Sequence, residues 1–213
     1  MEWKFLAILG EHHTARPISL SRWMAEEPTT FCDVIKMVYR SSKVEKAEPS
    51  TEESARAMNA YQLLREWHVP PGTKRGGSFD GDALKTWVAL VKSACENSGH
   101  WEPAANHIGQ VLFYAPRGQD DLWEQSVCSV LDEADHEGLR RGITSEIMNT
   151  RGVFTYTGGA DELKIAEHWY RMANLAEEKA FALLGQELRR LADSYKRDSE
   201  REAKNNPYER FAS

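Results

Sequence analysis

The sequence predicts a mainly all-α fold, a multi-helix bundle of helical hairpins with at most one short extended segment. Three observations lead there. Apolar residues recur at i, i+3 and i+4 along most of the chain, and proline and glycine clusters punctuate it at helix-length intervals. Residues 161–204 run without proline and with a single glycine, Gly185. The 213 residues are read as one helical domain, 1–213, with subdomains 1–70 and 80–205 joined by a Gly/Pro-rich loop and a frayed tail over 206–213.

Glu2 to Leu9 (EWKFLAIL) carries a helix-like pattern, and Ile18 to Glu26 follows with Leu20, Trp23 and Met24 on one face. Pro28 opens a new first turn, after which Phe31, Val34, Ile35 and Val38 keep the same period up to Tyr39. Ser42 to Pro49 is polar, charged and closed by proline, the signature of a linker. Ser50 and Glu53 then have capping-box spacing, and Ala57, Ala60, Tyr61, Leu64 and Trp67 form the stripe behind it. Pro70-Pro71 ends that helix.

Gly72 to Gly81 invites a phosphate-loop reading, which fails on spacing: Lys74 precedes Gly76-Gly77 instead of following the second glycine. The segment is a connecting loop ended by Asp80 as N-cap, with Phe79 stapled to Leu84. Leu84, Trp87, Val88, Val91 and Cys95 face one way until Asn97-Ser98-Gly99. Pro103 sits in the first turn of the next helix, whose inner face holds Ala104, Ile108, Val111, Leu112 and Ala115. Gly109 in its middle costs about 1 kcal/mol relative to Ala, which implies a close helix–helix approach.

Pro116 to Asp121 is a turn, and Leu122 to Leu131 and Ala134 to Asn149 are helical, the second with Leu139, Ile143 and Ile147 as its stripe. Val153 to Thr157 is the one β-like stretch, and one extended segment does not make a sheet. Ala166, Trp169, Tyr170 and Ala173 continue to Leu184, Leu188, Leu191, Ala192 and Tyr195. The region is either one very long helix or a hairpin, and the hairpin, turning between Glu177 and Phe181, is preferred because a helix much longer than ~25 residues is uncommon in a compact domain. Asp193–Arg197 and Glu200–Lys204 have the acid-before-base spacing of an exposed face. No 34-residue period recurs upstream, so a tetratricopeptide-type repeat is not indicated.

Charge and cysteines restrict the function. Lys and Arg number 27 against 33 Asp and Glu, a net charge of −6 that disfavours a nucleic-acid surface. No apolar run reaches the ~20 residues of a membrane span, and Met1 to Gly10 is too short and too acidic for a signal peptide, so a cytoplasmic, membrane-free protein is expected. Cys32, Cys95 and Cys128 are dispersed on apolar stripes, as buried thiols in a reducing compartment would be.

Few residues carry chemistry. His12-His13 are adjacent and point about 100° apart on a helix, and no HExxH pair exists. His136 lies between Asp135 and Glu137 and near Glu133, an acid–imidazole cluster able to recruit a metal or act as a base, or else a solvated helix start. His107 is a core histidine, with Gln110 beside it in the stretch His107-Ile108-Gly109-Gln110. Asn149-Thr150-Arg151-Gly152 either presents Arg151 to a carboxylate or phosphate, or ends a helix with Gly152 left-handed and Arg151 completing the dipole. No GxSxG elbow is present, and the carboxylate pairs Glu26-Glu27, Glu52-Glu53, Asp120-Asp121 and Glu177-Glu178 are sequence neighbours without a defined separation across the fold.

EWKFL, WMAEEPTTFCDVIKMVYR, HIGQVLFYAP, NTRGVF and LRRLADSY together resemble the C-terminal helical region of large multidomain bacterial proteins of unknown function. The resemblance spans nearly the whole chain. It implies an excised helical module and transfers no catalytic residue.

The expectation is a protein-interaction or scaffolding module with a protein partner, no cofactor, no metal and no catalytic activity of its own, and with Trp101, Trp123 or Tyr156 as exposed anchors. The alternative is a ligand-, nucleotide- or metal-dependent enzyme or sensor in which His107, His136 and Arg151 converge. A third, single-stranded nucleic acid binding, requires Lys74, Arg75, Arg140, Arg141 and Arg151 on one face.

Overall fold

The computed structural model describes residues 17–43, 50–152 and 156–204. The EWKFLAIL stretch, most of the 42–49 linker, most of the expected extended segment and the C-terminal tail lie outside them. The described residues form nine helices and no strand, an all-α bundle as expected: α1 Ile18–Glu26, α2 Pro28–Val38, α3 Thr51–Arg65, α4 Gly81–Ser98, α5 Trp101–Leu112, α6 Gln125–Asp132, α7 Glu137–Thr150, α8 Ala160–Glu178 and α9 Ala182–Lys204. Buried side chains from all nine belong to one core cluster, including those before and after the 72–80 loop.

The helix starts follow their caps. Ser50 Oγ accepts from Glu53 N–H at 3.2 Å while Glu53 Oε2 accepts from Ser50 N–H at 2.8 Å, the reciprocal box. Asp80 Oδ1 accepts from the Asp82 and Ala83 amides at 3.1 and 3.0 Å. These two bonds and Lys74 hold the Asp80 carboxyl below the usual carboxylate range, the Ala83 amide being the largest influence. The loop before it folds on itself through the Thr73–Phe79 bridge and the Asp80 N–H to Gly72 C=O bond.

The C-terminal hairpin turns where expected, although no glycine is available there. Phe181 N–H donates to Ala176 C=O at 2.8 Å and Ala180 N–H to Glu177 C=O at 3.0 Å, with Ala180 left-handed at φ 66°. The half-buried Phe181 supplies the apolar contact that closes such a motif. Asp132, at the end of α6, accepts from Leu184 N–H at 2.8 Å and so caps α9 from a different element.

The first half is centred on three aromatic rings. Phe31 lies 5.0 Å from Trp67 and 5.2 Å from Trp87, centroid to centroid. A buried indole N–H needs an acceptor, and both find one on α1: Trp67 Nε1 donates to Ser21 C=O and Trp87 Nε1 to Met24 C=O. That requirement turns the Ser21–Met24–Ala25 side of α1 inward and leaves Trp23 exposed, contrary to the expected Leu20/Trp23/Met24 face. On α3, Leu63 takes the buried position expected for Tyr61, which is half exposed.

The second half is set by helices in backbone contact. α5 and α7 cross so closely that a Cβ on Gly109 would meet Leu139 O at 2.0 Å, and one on Gly142 would meet Asn106 O at 2.1 Å. This is the close approach that Gly109 implied. The α8–α9 hairpin then packs on α6 and α7 chiefly through α9. Along α9 the expected Asp193–Arg197 pair is replaced: Asp193 accepts from Tyr170 O–H of α8 at 2.5 Å, and Arg201 pairs with Asp198.

Two expected helix starts lie a few residues late. Residues 122–124 are held in a turn by the Arg117–Trp123 bridge, with Asp121 at φ 67°, so α6 begins at Gln125. A turn through Glu133-Ala134-Asp135 delays α7 to Glu137.

Gly109→Ala gains about 1 kcal/mol of helix propensity but forces α5 and α7 apart, and overpacking of that kind costs ~3 kcal/mol. The expected net loss is about 2 kcal/mol in urea unfolding. Gly76→Ala, at a glycine with nothing within 4 Å of the added methyl, is the control and leaves the midpoint in place. An unmoved midpoint for Gly109→Ala would disprove the backbone contact.

Candidate functional site

The three residues whose convergence the alternative reading requires are held in three places. His136 is the N-cap of α7 and Arg151 the residue at its other end, so the two are separated by about 20 Å of helix. His107 lies on the inner face of α5 and pairs with Tyr39 O–H through Nε2 at 2.8 Å. An active site built on their convergence is therefore not formed.

Arg151 is a structural residue. Its guanidinium pairs with Glu162 of α8, whose side chain is almost wholly buried, and lies over the Tyr195 ring of α9 at 5.3 Å. Gly152 is left-handed at φ 73°, so the helix-end alternative describes this corner, with the added feature that Arg151 reaches across to the hairpin. Asn149 is exposed on the last turn of α7.

His107 is a core histidine, as expected. Burial pushes its pKa down to about 4, against a smaller opposing influence of the half-buried Gln110. Burial also raises Tyr39 above its usual range.

The expected aromatic anchors do not stand in solvent. Trp123 is 2% exposed: its Nε1 donates to Phe113 C=O at 3.2 Å, its ring stacks on Trp169 and Arg117 covers it at 4.4 Å. The 116–124 turn folds this tryptophan inward because α8 offers a flat apolar ring to receive it. Tyr156 is half-buried and donates to Glu202 C=O at 3.1 Å. Trp101 is half-buried in the wall of a polar cleft of about 710 Å³ that also contains Arg40, Lys43, Asn106 and Arg141.

The basic residues needed for a nucleic-acid face are dispersed. Arg140 is buried and donates to Leu131 and Glu133 C=O, both at 2.7 Å. Arg151 is paired as described, Lys74 pairs with Asp80 at 2.9 Å, and Arg141 with Glu137 at 2.5 Å. With Arg140 and Arg151 withdrawn from the surface, the five do not form the required face.

All three thiols are buried. Cys95 donates to Cys32 across α4 and α2 at 3.6 Å, a contact the sequence spacing did not reveal, and this bond lowers the Cys32 thiol while raising that of Cys95. Burial pushes Cys128 up to about 12. Cys95 and Cys128 are thus held as thiols, and none of the three faces solvent.

An apolar opening lies elsewhere. A groove of about 520 Å³ runs between the α1–α2 corner, the 72–75 turn and α4, with Trp87 in its floor and Ala25, Pro28, Thr86 and Leu90 along its sides. Leu90 is 55% exposed beside it. The signal was present: Ala83, Thr86 and Leu90 form a second row on α4 at helical spacing, offset from the core stripe. At the rim, Lys74 is held by Asp80, whereas Arg75 is 83% exposed and only 3.6 Å-paired with Glu26.

The chain matches no protein-family model, no curated protein and no solved structure. Among the described residues, no helix is long and apolar enough to cross a membrane.

Arg151→Ala removes the cation from a buried carboxylate, and breaking one side of such a pair costs ~3 kcal/mol or more. Urea unfolding is expected to show that loss, with Arg151→Ala/Glu162→Gln recovering most of it; an unaffected single variant would return Arg151 to a binding role. His107 supplies a pH signature. As pH falls, the unfolded chain protonates this ring near 6.5 while the folded chain waits until about 4. Its contribution is fully present above pH 6.5 and is lost on acidification through that window, roughly 3 kcal/mol in all. The slope of stability against pH between 6.5 and 4 should shrink in His107→Gln, and identical slopes would refute the assignment.

Proposed function

We propose that this chain is a helical protein-interaction module, carried in or partnered with a larger bacterial multidomain protein of the cytoplasm, and that the groove beside Leu90 receives the partner. The observation that carries this reading is the groove itself: an apolar trough with an exposed leucine at its mouth and an arginine on its rim. Exposed apolar surface of this kind, rimmed by polar groups, marks interaction sites. The resemblance of the chain to C-terminal helical regions of large bacterial proteins supports the setting.

The chemistry of the groove describes its occupant. Trp87 and Leu90 favour an inserted aliphatic or aromatic side chain, and Arg75 favours a carboxylate next to it on the partner. A short amphipathic helix presenting both fits these demands.

A photo-cross-linking amino acid at Leu90, expressed in the source cell, is expected to give a discrete adduct that the same probe at Leu163, exposed on α8, does not give. Thr86→Arg, which fills the groove from an exposed position, should abolish the adduct without moving the melting midpoint. Adducts that are common to both probe positions, or indifferent to Thr86→Arg, would overturn the groove as the docking surface.

A further inference from the structure

We propose that the turn between α6 and α7 is a divalent-metal site of zinc type, with His136, Glu133 and Asp135 as its ligands. One ligand atom from each of these three residues lies within 4.8 Å of the other two. His136 Nε2 stands 3.5 Å from Glu133 Oε2 and 3.9 Å from Asp135 Oδ1. Those spacings are beyond good hydrogen bonds yet close to the ~3.3 Å that separates ligand atoms around a tetrahedral zinc with ~2.0 Å bonds.

The imidazole is set up as a ligand. The His136 side chain is 4% exposed, and its Nδ1 bonds to Val130 C=O at 2.7 Å. Because a carbonyl only accepts, Nδ1 carries a proton, so in the neutral ring the Nε2 lone pair is directed at the two carboxylates. A backbone carbonyl on the far nitrogen is the usual device that fixes the tautomer and ring plane of a metal-bound histidine. Here it stands independently of the acidic residues, and it turns Nε2 of a 4%-exposed side chain toward the point a cation would occupy.

The carboxylates are held in the same sense. Lys92 of α4 pairs with Asp135 Oδ2, so the other oxygen, Oδ1, is the one turned to His136. Glu133 has no lysine or arginine side-chain partner among the described residues, although it closes the negative end of α6, where a bare carboxylate is disfavoured. Arg140 clamps the backbone of the turn by donating to Leu131 and Glu133 C=O. Both carboxylate side chains are more than half exposed, so small rotamer changes can close the cage without disturbing the core.

One imidazole and two carboxylates suit a borderline cation such as Zn²⁺ and leave its fourth position open. That position faces a cleft of about 360 Å³ between α4 and the turn, where water or an anionic group can complete the shell.

Calorimetric titration of the metal-stripped full chain with Zn²⁺ tests the site, together with the absorption spectrum of Co²⁺ in its place. The expected result is saturable binding of one equivalent, weakened at least tenfold in Glu133→Gln and in Asp135→Asn, whose metal-free melting midpoints match the unsubstituted chain. The Co²⁺ spectrum should show four-coordinate nitrogen and oxygen ligation without a thiolate band. Three results would overturn the assignment: no saturable binding, equal affinity in both variants, which places the metal elsewhere, for example at His12-His13, or a thiolate band that assigns it to cysteine.

Discussion

The crossing of α5 and α7 is the constraint on which the rest of the molecule depends. Two helix backbones in contact at Gly109 and Gly142 leave no room for side chains between them, so their relative position is fixed by hard-core repulsion instead of by adjustable packing. Through α5 that rigidity passes to Trp101 and His107, and through α7 to His136, Arg140 and Arg151. The helices α4, α6 and the α8–α9 hairpin then have a defined surface to pack against.

Buried polar groups fix the orientation of the elements added to this centre. Four of them are satisfied by a partner from a different element: Trp67 and Trp87 by carbonyls of α1, Arg151 by Glu162 of α8, and the α9 amide of Leu184 by Asp132. Apolar contact alone tolerates sliding, whereas an unsatisfied buried donor costs ~1–3 kcal/mol, so these pairs select one arrangement from many of similar apolar burial. The same economy explains why residues that look presentable in sequence, Arg151 and Trp123 above all, are consumed by the fold. The trough beside Leu90 and the turn at His136 remain on the surface, two features on opposite flanks of α4 with separate chemistry.

Much of the fold was legible because its signals are local. The capping box at Ser50–Glu53, the Asp80 cap, the Leu84/Trp87/Val88/Val91/Cys95 stripe and the turn before Phe181 each depend on residues within a few positions of one another. The close approach at Gly109 was legible too, since only contact justifies a glycine in mid-helix. Where the sequence misled, a partner distant in the chain decided. Trp23 lost its inward place to the carbonyl needs of two tryptophans over 40 residues away, and Trp123 was drawn inside by Trp169.

By itself, then, the sequence determined the helical class, the boundaries set by caps and prolines, and the apolar stripe of the longer helices, because period and capping are properties of a short stretch of backbone. Only the tertiary structure decided which of the chemically capable residues stand together. His136, Glu133 and Asp135 share a point in space because Val130, Lys92 and Arg140 orient them, while His107 and Arg151 are held by partners on other helices. Side-chain direction at such positions is set by long-range hydrogen bonds and ion pairs, and these exist only after the helices have packed.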